Sequence, residues 1–456
     1  MSICTLVRCR GLAKGLVVAL LCFQMMSPTA LYAGFGGGFR NRSVGGVSID
    51  AHGVVSSTTV EDAAGWRKEI RERDPKAPPS MAAPVGIRKI SLRKLDEAIA
   101  KARKEGHGML PEEMLFLAGL QRIEYVLVYP EENDIVIAGP GEGWTINERG
   151  DVVGVTTGRP VMQLDDLVVA LRSVTAAREE GITVSIDPTE EGRRSLDAYL
   201  GRARNFSPAV VAGIEKALGP QQVTITGVPH DSHFARVMVA ADYHMKRIAM
   251  QLDPSPVEGL PSYLKLLQAQ RSRSKNMTPR WWLACDYAPL GRSEDGLSWR
   301  LSGPGVKAMT EDELVVDGKV KGTGATSHAA QSWADAMNEE YEALSSKETT
   351  FGELRNLMDM CVIAALMQKE DLLGQAGLTL PSLMGADGVA IAKWHAPKTI
   401  ATQCSFVRAG KEWIITASGG VDIDSWSALE KTQVDAQAAQ VRQDAVAKTD
   451  SSWWWN

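Results

Sequence analysis

Hydrophobic positions between Ser232 and Gln251 recur with a helical period. Phe234, Val237, Met238, Ala241, Met245, Ile248 and Leu252 fall on one face about 100° wide, and Arg236, Tyr243 and Arg247 lie opposite. The pattern predicts a helix whose apolar face enters a core, with Asp231 or Ser232 as its N-cap. The same spacing predicts a Ser91-capped helix carrying Leu92, Leu95, Ile99 and Ala102, and one opening at Asp165 with Leu167, Val168, Leu171 and Val174. Helices also follow near 190–202 and 208–218, and Trp333, Met337, Tyr341 and Leu344 stripe another. Thr350 and Glu353 have capping-box spacing ahead of a helix over 354–373, which is apolar almost all round and therefore buried.

Between the helices lie β-rich runs. Residues 123–129 and 135–138 read as a hairpin with a buried first strand, 144–155 as a second hairpin turning at Arg149-Gly150, and 47–55 as a possible third. Asp317-Gly318 is a two-residue hairpin signal. Strands are also expected at 182–186, 222–226, 280–284, 389–394, 399–407 and 413–417. Together these predict an α+β fold of mixed helices and mostly antiparallel strands in two packed halves, 87–253 and 281–428, joined by a polar segment at 254–280. A Gly/Pro-rich arm and linker, 34–86, read as disordered, precedes them. A polar tail, 429–456, follows and ends in Trp453, Trp454, Trp455 and Asn456.

The composition of this 456-residue chain, 44% hydrophobic and 23% charged, excludes disordered, collagen-like and coiled-coil classes. Residues 1–33 change the picture more. Arg8, Arg10 and Lys14 precede an apolar stretch at 15–23, and Leu31-Tyr32-Ala33 forms a cleavage site before Gly34. This is the pattern of a signal peptide, so a periplasmic or secreted protein is expected. The stretch is shorter than the roughly 20 residues of a membrane span, and no later segment reads as one. Cleavage removes three cations and no acid, taking the formal charge from −5 to −8. So acidic a chain argues against nucleic acid as a partner. Cys285, Cys361 and Cys404 remain, too few for a disulfide framework, and whether any two are bridged stays open.

Candidate chemistry is sparse. His230, Asp231, Ser232 and His233 form the densest group of metal-type residues, with His244 downstream. Eleven helical residues put His233 and His244 about 16 Å apart, so two ligands at best can meet, and no metal site is expected. Asp187 and Glu191 sit where a strand meets a helix, which suits either a carboxylate site or an ordinary helix start capped by Thr189 or Asp187. Asp242 and Lys246 read as a routine i,i+4 pair. Residues 139–143 carry three glycines but precede a strand and not a helix, so they read as a turn and not as a nucleotide loop. No cofactor is implied. A hydrolase of unrecognised type would draw on Asp187, His230, Asp231 and His233. Trp453, Trp454 and Trp455 are candidates for contact with a partner, the chain's own body or a membrane interface.

Three segments, 231–246, 353–366 and 419–424, resemble a family of exported planctomycete proteins whose function is unknown. The likeness runs from about Ile87 to Trp426. It implies an exported α+β body and assigns no activity, cofactor or catalytic residue. The resulting expectation is a non-enzymatic binding or assembly component of the cell envelope, with self-association or another envelope protein as partner, and the hydrolase as the alternative.

Overall fold

A computed structural model describes residues 44–58, 77–105, 110–202, 208–270, 277–316, 319–405, 408–409, 412–413, 418–446 and Trp455. The signal segment, most of the linker, Trp453 and Trp454 lie outside the described residues. The fold is α+β, with mixed sheets of mostly antiparallel strands. No helix among the described residues is long and apolar enough to cross a membrane.

Two sheets organise the chain. The larger has nine strands, in the order Val47–Ile49, Val54–Ser57, Thr399–Ile400, Gln221–Thr226, Ile182–Asp187, Ser418–Ile423, Met277–Asp286, Gly305–Val316 and Lys319–Gly322. The smaller has six: Thr432–Val434, Leu290–Arg292, Ser298–Arg300, Tyr125–Tyr129, Asp134–Gly141 and Val85–Ser91. Both take strands from either side of segment 254–280, and the main hydrophobic core takes residues from Val44 to Leu429. The two halves therefore interleave.

The arm and tail join the sheets as well. Hairpin Val47–Ser57 enters the larger sheet through a parallel pairing with Thr399–Ile400. In the tail, Thr432–Val434 pairs with Leu290–Arg292. The helix Ala436–Val446 is clamped by Arg442, whose guanidinium donates to Val128 O at 2.7 Å, while Tyr129 Oη donates to Arg442 O at 2.9 Å.

Three helices meet in the core: Leu164–Glu180, His233–Ala249 and Thr349–Lys369. Ser91, Thr189 and Ser232 cap their helices through their hydroxyls, as the sequence predicts. Three expectations fail for physical reasons. The supposed polar face of His233–Ala249 is also buried: Arg236 packs on Trp394, and Tyr243 Oη lies 3.1 Å from Ser57 Oγ of the arm hairpin. Residues 139–141 continue a strand and form no turn, because Gly139 lets the backbone of Arg122 approach; a Cβ there would stand 2.2 Å from Arg122 O. Residues 389–393 form no strand, since their N–H groups bond to helix ends, Val389 N to Ser382 O at 2.7 Å and Ala392 N to Asp165 Oδ2 at 3.1 Å.

The strand Ser418–Ile423 was not expected. It lies between Met277–Asp286, which it joins in parallel, and Ile182–Asp187. Its glycines permit this. A Cβ on Gly419 would stand 2.0 Å from Trp281 O, and one on Gly420 would stand 2.1 Å from Val184 O. Gly420→Ala should therefore destabilise the fold by about 1–3 kcal/mol in urea unfolding; an unchanged midpoint would show that the strands can part to admit a methyl group.

Candidate functional site

The N-terminal turns of the three core helices converge on one cluster. Ser232 ends the approach to the first, so His233 opens that helix and turns inward. Asp166 lies in the first turn of Leu164–Glu180, and Glu353 is the fifth residue of Thr349–Lys369. Helix N-termini carry partial positive charge, which suits the two carboxylates.

His233 Nδ1 lies 2.9 Å from Asp166 Oδ2 and 3.1 Å from Oδ1. Nε2 lies 3.3 Å from the Gln163 amide, while Glu353 Oε1 stands at 4.0 Å, outside hydrogen-bonding range. A neutral ring with its proton on Nδ1 satisfies both contacts, donating to Asp166 and accepting from Gln163. Trp394 covers the ring at a centroid distance of 5.2 Å, and the Arg236 guanidinium lies over the same indole at 4.9 Å. The side chains of His233, Asp166 and Glu353 are 4%, 6% and 7% exposed, so the imidazole is almost wholly enclosed.

Burial opposes the charged form of His233, but the Asp166 carboxylate outweighs it and holds the pKa above its ordinary value. Glu353 is pushed up to about 8, first by burial and then by the charges of Asp151, Asp166 and Glu348, with His233 pulling the other way. Glu353 Oε2 has no hydrogen-bond partner. The capping box read in the sequence does not form: no side chain caps Thr349–Lys369, Thr350 Oγ1 is unpartnered, and Glu353 faces the cluster.

The other candidates sit elsewhere. His230 is exposed, and Asp231 reaches Lys393 at 3.5 Å on the surface. Asp187 ends its strand and acts on Asp242, not on His233. Asp242 pairs with Lys246 at 2.8 Å but is fully buried, so the pair is no routine surface contact. Burial raises the pKa of Asp242, and Lys246 opposes the shift. Of the terminal tryptophans, Trp455 is described; it forms an antiparallel bridge with Ile90.

Among the described residues, the His233 ring bonds to Asp166 and Gln163, and neither is a hydroxyl or thiol nucleophile. Cys285, Cys361 and Cys404 are unbridged, and burial raises all three thiols, Cys404 to about 12. No group of three or more His, Cys, Asp or Glu among the described residues could hold a metal ion. An open cleft of about 480 Å³ does exist, lined by Gln251, Asp253, Ser255, Ser262 and Lys265 among others. It lies at the opposite end of the His233–Ala249 helix, on the order of 20 Å from His233 by helical rise.

Asp166 escaped sequence reading because an acid in a first turn is the commonest of helix starts. Glu353 was masked by its capping-box spacing.

A family model described as a protein of unknown function (DUF1598) matches residues 184–263, which span the Asp187 strand end, His233 and most of the cleft. No curated protein and no solved structure matches the chain.

Two tests follow from the cluster. Glu353 holds a proton more tightly when folded, so it makes stability fall as pH rises from the ordinary carboxyl value of 4.5 through about 8, and His233 adds a loss that begins only above its ordinary value of 6.5. Urea unfolding of the intact chain and Glu353→Gln at pH 5 and pH 8 should show a loss on the order of a few kcal/mol in the former, reduced in the variant to the part His233 supplies. Parallel pH profiles would refute the assignment. Asp166→Ala, which strands a buried imidazole, should cost about 3–5 kcal/mol, whereas His230→Ala should stay within about 0.5 kcal/mol.

Proposed function

We propose that the protein is an exported, non-enzymatic binding or assembly component of the cell envelope. The observation that supports this reading is the buried Asp166–His233–Glu353 cluster, whose acid–base groups tie three helices together and are almost closed off from solvent. Catalysis needs its acids and bases within reach of a substrate. Here the ionisable groups that reach solvent near His233, namely His230 and Asp231, stand apart from the buried ones. The charged, then apolar, sequence of residues 1–33 supports export.

Expression with the leader intact, followed by fractionation and N-terminal sequencing, tests the reading. The mature chain should begin at Gly34, appear outside the cytoplasm, and run in native mass analysis of envelope extracts above the mass of one chain. Ester, phosphate, peptide and glycoside reporters should remain uncleaved. Turnover abolished by Asp187→Asn or His233→Asn would instead establish the hydrolase, and a full-length cytoplasmic chain would end the export reading.

A further inference from the structure

The six-stranded sheet ends on one side at Val85–Ser91, which pairs antiparallel with Asp134–Gly141. An edge strand offers a row of backbone donors and acceptors to any other chain unless charge, proline or a cover blunts it. This edge has little such protection of its own. Arg88 and Ile90 point into the core, and the ammonium of Lys89 is turned toward Ala445 O at 3.2 Å. What faces solvent is apolar. Val85 and Ile87 are two of the five exposed large hydrophobics among the described residues.

The end of the chain lies on the open side of this strand. Trp455 forms an antiparallel bridge with Ile90, which pairs with Ile137 on its other side. The Trp455 ring packs against the main core, and the Arg88 guanidinium lies over it at 5.6 Å. Arg88 is fixed from behind by donating to Met81 O at 3.1 Å. The approach is also built. Helix Ala436–Val446 delivers Ala445 to Lys89 ten residues before Trp455, so the terminus is tethered beside the edge at high effective concentration.

We propose that the Val85–Ser91 edge is a strand-accepting site, that its occupant is the chain's own terminal Trp455 segment, and that this segment plugs the edge against pairing with a second copy of the chain. The inference goes beyond the envelope reading and does not depend on it. Antiparallel main-chain bonds supply the attachment, and the Arg88–indole contact selects an aromatic residue opposite Ile90. Val85 and Ile87 are exposed beside the plug already, so withdrawing it would add the free Ile90 backbone to an apolar edge open to whatever copy comes near.

The experiment compares the mature chain with one ending at Ser452, by light scattering over a wide concentration range. A labelled peptide of residues 447–456 serves as the probe. The truncated chain should gain mass with concentration beyond the intact one. Ile87→Lys in the truncated background should cancel that gain by placing a charge on the edge. The peptide should bind the truncated chain at least about tenfold more tightly than the intact chain, whose own tail competes, and Arg88→Ala should weaken it. Should truncation impair folding by circular dichroism, full-length Trp455→Asp replaces it, with the same gain of mass expected. Unchanged mass in the opened chain, self-association that survives Ile87→Lys, or peptide binding equal in the two chains would each overturn the proposal.

Discussion

A helix buried on every side cannot leave its polar side chains to water, and the fold is arranged around that constraint. Thr349–Lys369 carries Glu353, Arg355, Asn356 and Asp359 in its first half, all buried. Each points in a different direction and needs a partner from a different element. Arg355 donates to Glu342 at 2.6 Å, Asn356 to Pro160 O at 3.2 Å, and Glu353 faces His233. Asp359 is the most heavily engaged. It accepts two bonds from Arg122 at 3.1 Å, one from Tyr287 at 2.7 Å and one from Ile123 N at 3.3 Å. The helix thus fixes the positions of the smaller sheet's approach, the Tyr287 loop and the two other core helices at once.

The same constraint explains why the Asp–His–Glu group is enclosed. Such groups serve chemistry when one member faces a cleft. In this chain all three side chains are enclosed by Trp394, Arg236 and the helix ends, and the open cleft lies at the far end of the helix. The cluster makes stability depend on pH, because Glu353 is held largely protonated by burial and neighbouring acids.

Much of the local structure was legible in the sequence. Helical period located the His233–Ala249 and Thr349–Lys369 helices, and hydroxyl residues at Ser91, Thr189 and Ser232 marked the caps of the helices they precede, where local hydrogen bonding decides the matter. The candidate site was half legible. His233 stood out as a histidine beside a cap, but Asp166 and Glu353 come from segments 67 residues away in one direction and 120 in the other. Period alone also misjudged Arg236 and Tyr243, because an amphipathic pattern shows which face enters the core first and cannot show what later covers the other.

The sequence by itself determined the principal helices, several of their hydroxyl caps and the α+β class, since these follow from contacts within a few residues. Only the tertiary structure decided that Ser418–Ile423 would insert between two strands from different halves, which depends on Val184 and Trp281 backbones closing over Gly419 and Gly420. It also decided that Glu353 would meet a histidine and not its own helix end, and that Trp455 would lie on Ile90. Those outcomes rest on long-range packing and desolvation, which no local pattern encodes.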